Sequence, residues 1–300
     1  MKERSARIGI RAAREGRQKG GSEEERKKSI LEKVSLEFEL YGKSYAFETG
    51  ELAKQATGAV LVRQGETTVL VTSVISKEEK DYDFFPLTVD FMEKMYAVGR
   101  IPGGYLKREG RASDKGTLTA RMVDRPIRPG FTEGFKQEVH VVATTFAIDG
   151  ENAPDCMCVG GASAALLIAS APFDGPVACV RIARNAETRE FIVNPTYAEQ
   201  ETSDLELTIA GTKDYISMVE AGADQVGEED MLAAMNFGQE AIAAFCEKQA
   251  EFLSMVDIQK REWPIHVPDA SIAERVNAHY DAMSAALKDA DKQSRIAKVE

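Results

Sequence analysis

At 300 residues, with 43% hydrophobic and 29% charged side chains, the chain can bury a real core as one large domain or two modest ones. No apolar run approaches the roughly 20 residues of a membrane span, and the N-terminus lacks the apolar core of a secretory signal. Four Cys form no disulfide framework, so the expectation is a cytoplasmic protein without membrane partners. The net charge of −11 is unevenly spread: residues 1–33 and 99–131 each carry +5, leaving −21 for everything else. An acidic body with two basic segments points to anion binding at defined places rather than general stickiness.

Residues 1–33 are polar and interrupted by Gly9, Gly16, Gly20 and Gly21. Arg4, Arg7, Arg11 and Arg14 fall at helical spacing. They read as a nucleic-acid arm or, more simply, as a mobile extension or an over-long start. From Val34 the pattern turns to strands. Residues 35–40 alternate, and Tyr41-Gly42-Lys43 turns them into 44–48. Residues 59–63 and 67–75 are apolar and β-branched and read as a hairpin joined at Gln64-Gly65. Residues 84–91 form another strand, which Pro86 places near an edge or bulge.

The basic segment follows. It holds Arg100, Lys107, Arg108, Arg111, Lys115, Arg121, Arg125 and Arg128 against Glu109, Asp114 and Asp124. Ile101-Pro102-Gly103-Gly104 opens a loop. Ser113 is a plausible N-cap, after which 114–124 can be helical. Arg121 and Arg125 then share a face, and Pro126 is expected to leave 127–131 extended.

Residues 139–148 form a strong strand. The Ala-, Gly- and Ser-rich 154–171 suits a helix packed closely against a sheet. Gly160-Gly161 lacks the spacing of a dinucleotide fingerprint and the Lys of a phosphate loop, so it reads as structural. Cys156-x-Cys158 sits in the same apolar stretch with no His nearby and reads as buried thiols rather than a metal site. His140, His266 and His279 are scattered and suggest no His-centred catalysis.

Strands over 177–184, 190–194 and 205–210 complete an α+β domain spanning 34–240. Residues 228–255 predict a long helix whose Met231, Leu232, Met235, Ile242, Phe245 and Phe252 form a core stripe. Breaks at Trp263-Pro264 and Val267-Pro268 precede a second helical pattern from 269 to 288. The division expected is therefore an all-helical domain over 241–300, with no compact ending at Glu300.

Chemically, Tyr105, Lys107 and Arg108 can place a ring beside two cations on one loop. Bases stack on such rings whatever their identity, as single-stranded nucleic acid requires. Arg121, Arg125 and Arg128 supply forked donors that suit phosphate oxygens. The alternative is that some of these arginines pair with Asp124, Glu109 or Glu133 inside the fold. No acid cluster suggests a metal site, and no catalytic residue is assigned.

The stretches FFPLTVDFMEKMYAVGRIPGGYLKREGR, ARMVDRPIRPGF and TKDYISMVEAGADQV resemble the first half of the bacterial polynucleotide phosphorylase (polyribonucleotide nucleotidyltransferase) family. ETGELAKQATGAVLV agrees, and the likeness runs from about Val34 to Met255. It implies an RNase PH-like core of the ribosomal-protein-S5 type, followed by an all-helical linker domain.

The implied enzyme is a homotrimeric ring that degrades single-stranded RNA from its 3′ end with inorganic phosphate, reversibly, releasing nucleoside diphosphates. It would work with Mg²⁺ and within RNA-degradation machinery. A pore loop that reads Phe-Phe-Arg-Arg in some members corresponds here to Tyr105, Leu106, Lys107 and Arg108. One aromatic is lost, while both cations remain. Arg121, Arg125 and Arg128 resemble the family's RNA-contacting arginines. The phosphate-binding serines and metal-binding aspartates are expected in a second core domain after the linker. Two other readings stand beside this one: a non-catalytic RNA-binding ring or scaffold protein, and a single-domain RNase PH-like enzyme with its own active site.

Overall fold

The structure, a computed structural model, describes residues 33–79, 82–267 and 269–300. The expectations for residues 1–32 lie outside them. Two antiparallel hairpins start the fold: β1 (Val34–Leu40) with β2 (Lys43–Thr49), then β3 (Gly58–Gln64) with β4 (Thr67–Glu79). In the first turn both Tyr41 (φ 52°) and Gly42 (φ 71°) are left-handed, which matches the twist of the flanking strands. Next come β5 (Leu87–Met92), α1 (Asp114–Ile127) and β6 (Gln137–Ala147). The first sheet has the order β1-β2-β3-β4-β6-β5, with β5 parallel to β6 at the edge, as Pro86 suggests.

The next helix, α2 (Asp155–Ile168), leads into β7 (Ala178–Asn185), β8 (Phe191–Val193), the short α3 (Tyr197–Glu201), β9 (Ser203–Gly211) and β10 (Ile216–Ala223). These strands make a second sheet in the order β10-β9-β7-β8. Helix α2 lies between the sheets, so nearly all its residues are buried and it shows no polar face. Its small residues are what permit this. A Cβ on Gly161 would stand 2.7 Å from a Val71 methyl carbon, which gives Gly161 a structural role. Cys156, Cys158, Cys179 and Cys246 are all free and buried.

Helix α4 (Glu228–Ser254) then crosses both cores. Ile242 and Phe245 pack with Val180, Leu207 and Ile209 of the second sheet. One turn and more beyond, Phe252 packs with Phe47 and Val60 of the first. The expected division between 240 and 241 thus falls inside one continuous helix that is buried on both sides of it. The stripe also differs from expectation: Ala234, Gly238 and Ala241 make the close contact, while Leu232 is 60% exposed. Leu232 is two residues from Ala234 and so points nearly the opposite way.

A second difference is at Pro126. Helix α1 continues through it to Ile127, and a 3-10 turn, Arg128–Gly130, follows instead of extended chain. Gly116, Thr119, Met122, Val123, Pro126 and Ile127 form one buried stripe. Burying Ile127 completely outweighs the local bias against helix before proline.

After α4 the chain returns along the first sheet. The Trp263 indole N–H donates to the Ser170 carbonyl at 2.7 Å, and Ile265 bridges Phe135. Three short helices end it: α5 (Ala270–Asn277), α6 (Tyr280–Leu287) and α7 (Lys292–Val299). The expected helical pattern over 269–288 is therefore broken at Ala278 and His279. Among the described residues no helix is long and apolar enough to cross a membrane.

Candidate nucleic-acid interface

Helix α1 carries the second half of the basic segment. The Ser113 hydroxyl caps it by accepting the Gly116 N–H at 2.9 Å. Opposite the buried stripe, Leu118, Arg121 and Arg125 stand exposed at spacings of three and four. Arg121 makes no ion pair among the described residues. Among the described residues Arg125 reaches only the exposed Glu220 of β10, at 3.5 Å, a contact worth little in water.

Arg128 is different. Its guanidinium grips Asp124 through two hydrogen bonds, at 2.7 and 3.1 Å, and donates to the carbonyls of Phe85 and Leu87. It ties the end of α1 to the start of β5. Of the pairings considered from sequence, Asp124 thus takes Arg128 rather than Arg125. Glu109 accepts a backbone N–H, from Met95, at 3.0 Å.

The loop ahead of α1 is built to project. The Lys107 N–H donates to the Gly104 carbonyl at 3.0 Å, and Lys107 sits at φ 51°, which puts Tyr105 and Leu106 at the tip of a turn. Tyr105 is 98% exposed. Arg100, Lys107, Arg108 and Arg111 are all exposed and form no ion pair among the described residues. The structure therefore leaves Tyr105, Lys107, Arg108 and Arg121 free, Arg125 loosely held, and Arg128 engaged in the fold. An open row of cations with a projecting ring can bind a phosphate chain and stack a base.

Sequence reasoning missed a second charged region. Between α1 and the second sheet runs a groove of about 520 Å³. On its floor, strand register aligns Arg181, Thr208 and Glu220 across β7, β9 and β10. Arg181 is nearly buried and donates to Asp155 at 2.8 Å, with Glu206 at 3.1 Å. Burial disfavours the charged guanidinium, but Cys156, Asp155 and Glu206 beside it more than reverse that, and its pKa rises above the ordinary range.

Nearby, Arg184 is buried in a two-pronged pair with Asp204 and a further contact to Asp230 at the start of α4. The hydrogen bond from Arg184 holds the Asp204 carboxyl below its usual range. Of the carboxylates facing the groove, Asp155 and Glu206 are engaged by Arg181, while Glu220 meets only the loosely held Arg125. These acids therefore do not fit a magnesium site. Among the described residues no group of three or more His, Cys, Asp or Glu is placed to hold a metal ion.

Comparison with known proteins matches this architecture part by part. The model described as "3' exoribonuclease family, domain 1" matches residues 42–172, which hold most of the first sheet with α1 and α2. The model described as "3' exoribonuclease family, domain 2" matches residues 175–241, the second sheet and the first half of α4. The chain belongs to the 3′ exoribonuclease family.

Similar curated proteins are named polyribonucleotide nucleotidyltransferase. That of Listeria welshimeri is 47% identical over 272 residues, covering 90% of this chain and 37% of the relative. That of Enterococcus faecalis is 48% identical over 255 residues (85% and 36%), and that of Bacillus cytotoxicus 49% over 245 (82% and 34%). The chain spans a little over a third of the length of these relatives. Among solved structures, rice (Oryza sativa) Rrp46 shares the fold, with a TM-score of 0.53 at 12% identity, over 70% of this chain and 92% of that one. The RNase PH-like α+β fold expected from the sequence is thereby established, and helices follow it.

Proposed function

We propose that this chain is the RNA-guiding part of a phosphorolytic 3′-to-5′ exoribonuclease, which consumes RNA and inorganic phosphate and releases nucleoside diphosphates. The observation that carries the reading is the exposed row Arg100, Lys107, Arg108, Arg121 and Arg125 beside the projecting Tyr105, on a chain whose net charge is −11. The names of the similar proteins supply the reaction. In this reading Tyr105, Lys107, Arg108, Arg121 and Arg125 lead a single strand inward, while Arg128 sets the angle at which α1 presents the others.

The engaged carboxylates of the groove support a division of labour in which phosphoryl transfer, with its Mg²⁺, is done by groups outside these 300 residues. A ring of three copies in the cytoplasm, working with other RNA-degrading proteins, would place several such loops around one strand. The folded core in this proposal runs through α4 rather than ending at 240. Phe252→Ala is therefore expected to cost about 3–5 kcal/mol of unfolding free energy in urea titration; a loss under about 1 kcal/mol would favour the division at 240 instead.

The test of function is direct. The purified chain should bind single-stranded RNA weakly and release no nucleoside diphosphate from poly(A) in the presence of phosphate. Phosphate-dependent release by this chain would overturn the division of labour. Absence of any RNA binding would overturn the guiding role and leave a scaffold.

A further inference from the structure

Most exposed apolar side chains are scattered, but Met92, Met95, Tyr96, Val98, Ile101 and Leu106 lie close together in sequence, next to Tyr105. Exposed apolar surface gathered in one place marks a contact site. This segment is also firmly held. The Ile148 N–H donates to the Ala97 carbonyl at 3.0 Å, the Lys94 N–H to the Thr145 hydroxyl at 3.1 Å, and the Gly99 N–H to the Tyr96 carbonyl at 2.9 Å. Ala97 is buried, so the 3-10 turn Met95–Val98 is pinned to the end of β6 with the Tyr96 side chain 55% exposed.

The same turn is joined to the projecting loop. Glu109, the only acid between Arg100 and Arg111, turns its carboxylate to the Met95 N–H at 3.0 Å. That contact brings the Tyr96 turn beside the stretch that carries Tyr105, Lys107 and Arg108. Arg100 follows directly, with its N–H on the Met95 carbonyl at 2.9 Å. Two tyrosines thus share a segment with four cations, Arg100, Lys107, Arg108 and Arg111, that form no ion pair among the described residues.

We infer that Tyr96 is a second stacking platform for single-stranded RNA, a positioning residue that works with Tyr105. It supplies the aromatic surface that Leu106 cannot. The chemistry favours RNA over an apolar protein surface, because the rings are interleaved with cations, and the one carboxylate between Arg100 and Arg111 is turned to the backbone. Tyr96 is preordered by the turn, whereas Tyr105 stands on a loop tip. A base could then be held between the ring on the pinned turn and the ring on the projecting loop. This inference rests on the RNA-guiding reading above.

The test uses the full chain with a fluorescent oligoadenylate, titrated at several salt concentrations. Tyr96→Leu keeps apolar bulk but removes the ring, and is expected to weaken binding roughly 10-fold. Its salt dependence should be unchanged, because no charge is lost. Tyr96→Phe should bind like the parent. Full affinity in Tyr96→Leu, with loss in Lys107→Ala/Arg108→Ala, would overturn the inference and leave the guiding role standing. Full affinity in both would overturn the guiding role itself. If Tyr96→Leu altered oligomeric state in sedimentation while leaving affinity alone, Tyr96 would belong to a contact between copies, and the inference would fail.

Discussion

Two sets of cations, opposite in use, sit on either side of α1. On the loop and outer face, Arg100, Lys107, Arg108, Arg111 and Arg121 are exposed and make no ion pair among the described residues. Across the groove, Arg181 is nearly buried and Arg184 buried, and each is gripped by carboxylates from other strands and helices. Charge counted along the chain does not separate them. Pairing does. A buried guanidinium must be neutralised where it stands, since leaving it alone in the interior costs several kcal/mol. An exposed one without a partner keeps its donors for something outside the fold. Arg128 lies between the extremes, exposed yet committed to Asp124 and two carbonyls.

The sharpest way to break this contrast is to unpair a buried arginine. Asp155→Ala leaves Arg181 with Glu206 alone and is expected to cost about 3 kcal/mol of stability in urea titration. Adding Arg181→Met should recover much of that loss, because the unpaired charge goes with it. A single variant as stable as the parent would mean that Arg181 is not held as described. Arg128→Ala is intermediate and should lose about 1–2 kcal/mol, read as a lower thermal midpoint. Arg121→Ala should fall within about 0.5 kcal/mol of the parent.

A smaller effect separates the sets by pH. The folded pKa of Asp204 is lowered by its hydrogen bond from Arg184. Its contribution is therefore complete above the unfolded carboxylate value of about 3.9 and is lost as pH falls through the lower folded value. That contribution should be level from neutrality to about pH 4 and decline below it. Asp204→Asn should blunt that decline, whereas Arg121→Ala should leave its shape alone. An equal decline in Asp204→Asn would remove the pair from the account.

Local chemistry explains which parts were legible in the sequence. The first hairpin could be read because Tyr41-Gly42 and the alternation around it are contiguous. Helix α2 was evident from its run of small residues. Strand β10 escaped notice as a strand because nearly all of Ile216–Ala223 is exposed, so it lacks the alternation of a half-buried strand. Asp124 and Arg128 are four apart and would have announced their pairing, but Pro126 argued that the helix had already stopped.

The Arg181 network was out of reach for another reason. Its partners lie 26 and 25 positions away, and only strand register and the seating of α2 bring them together. The exposed loop could be read as a contact site because its glycines and unpaired cations are local features. Which arginine Asp124 would hold could not.

The central claim is that the exposed set binds a polyanion and the buried set does not. The most direct measurement is the salt dependence of single-stranded RNA binding by the parent chain and by Lys107→Ala/Arg108→Ala. Removing two phosphate contacts should weaken binding and make the slope of log affinity against log salt shallower by about 1.4, with no change in thermal midpoint. An unchanged slope, or a slope that changes only together with unfolding, would contradict it.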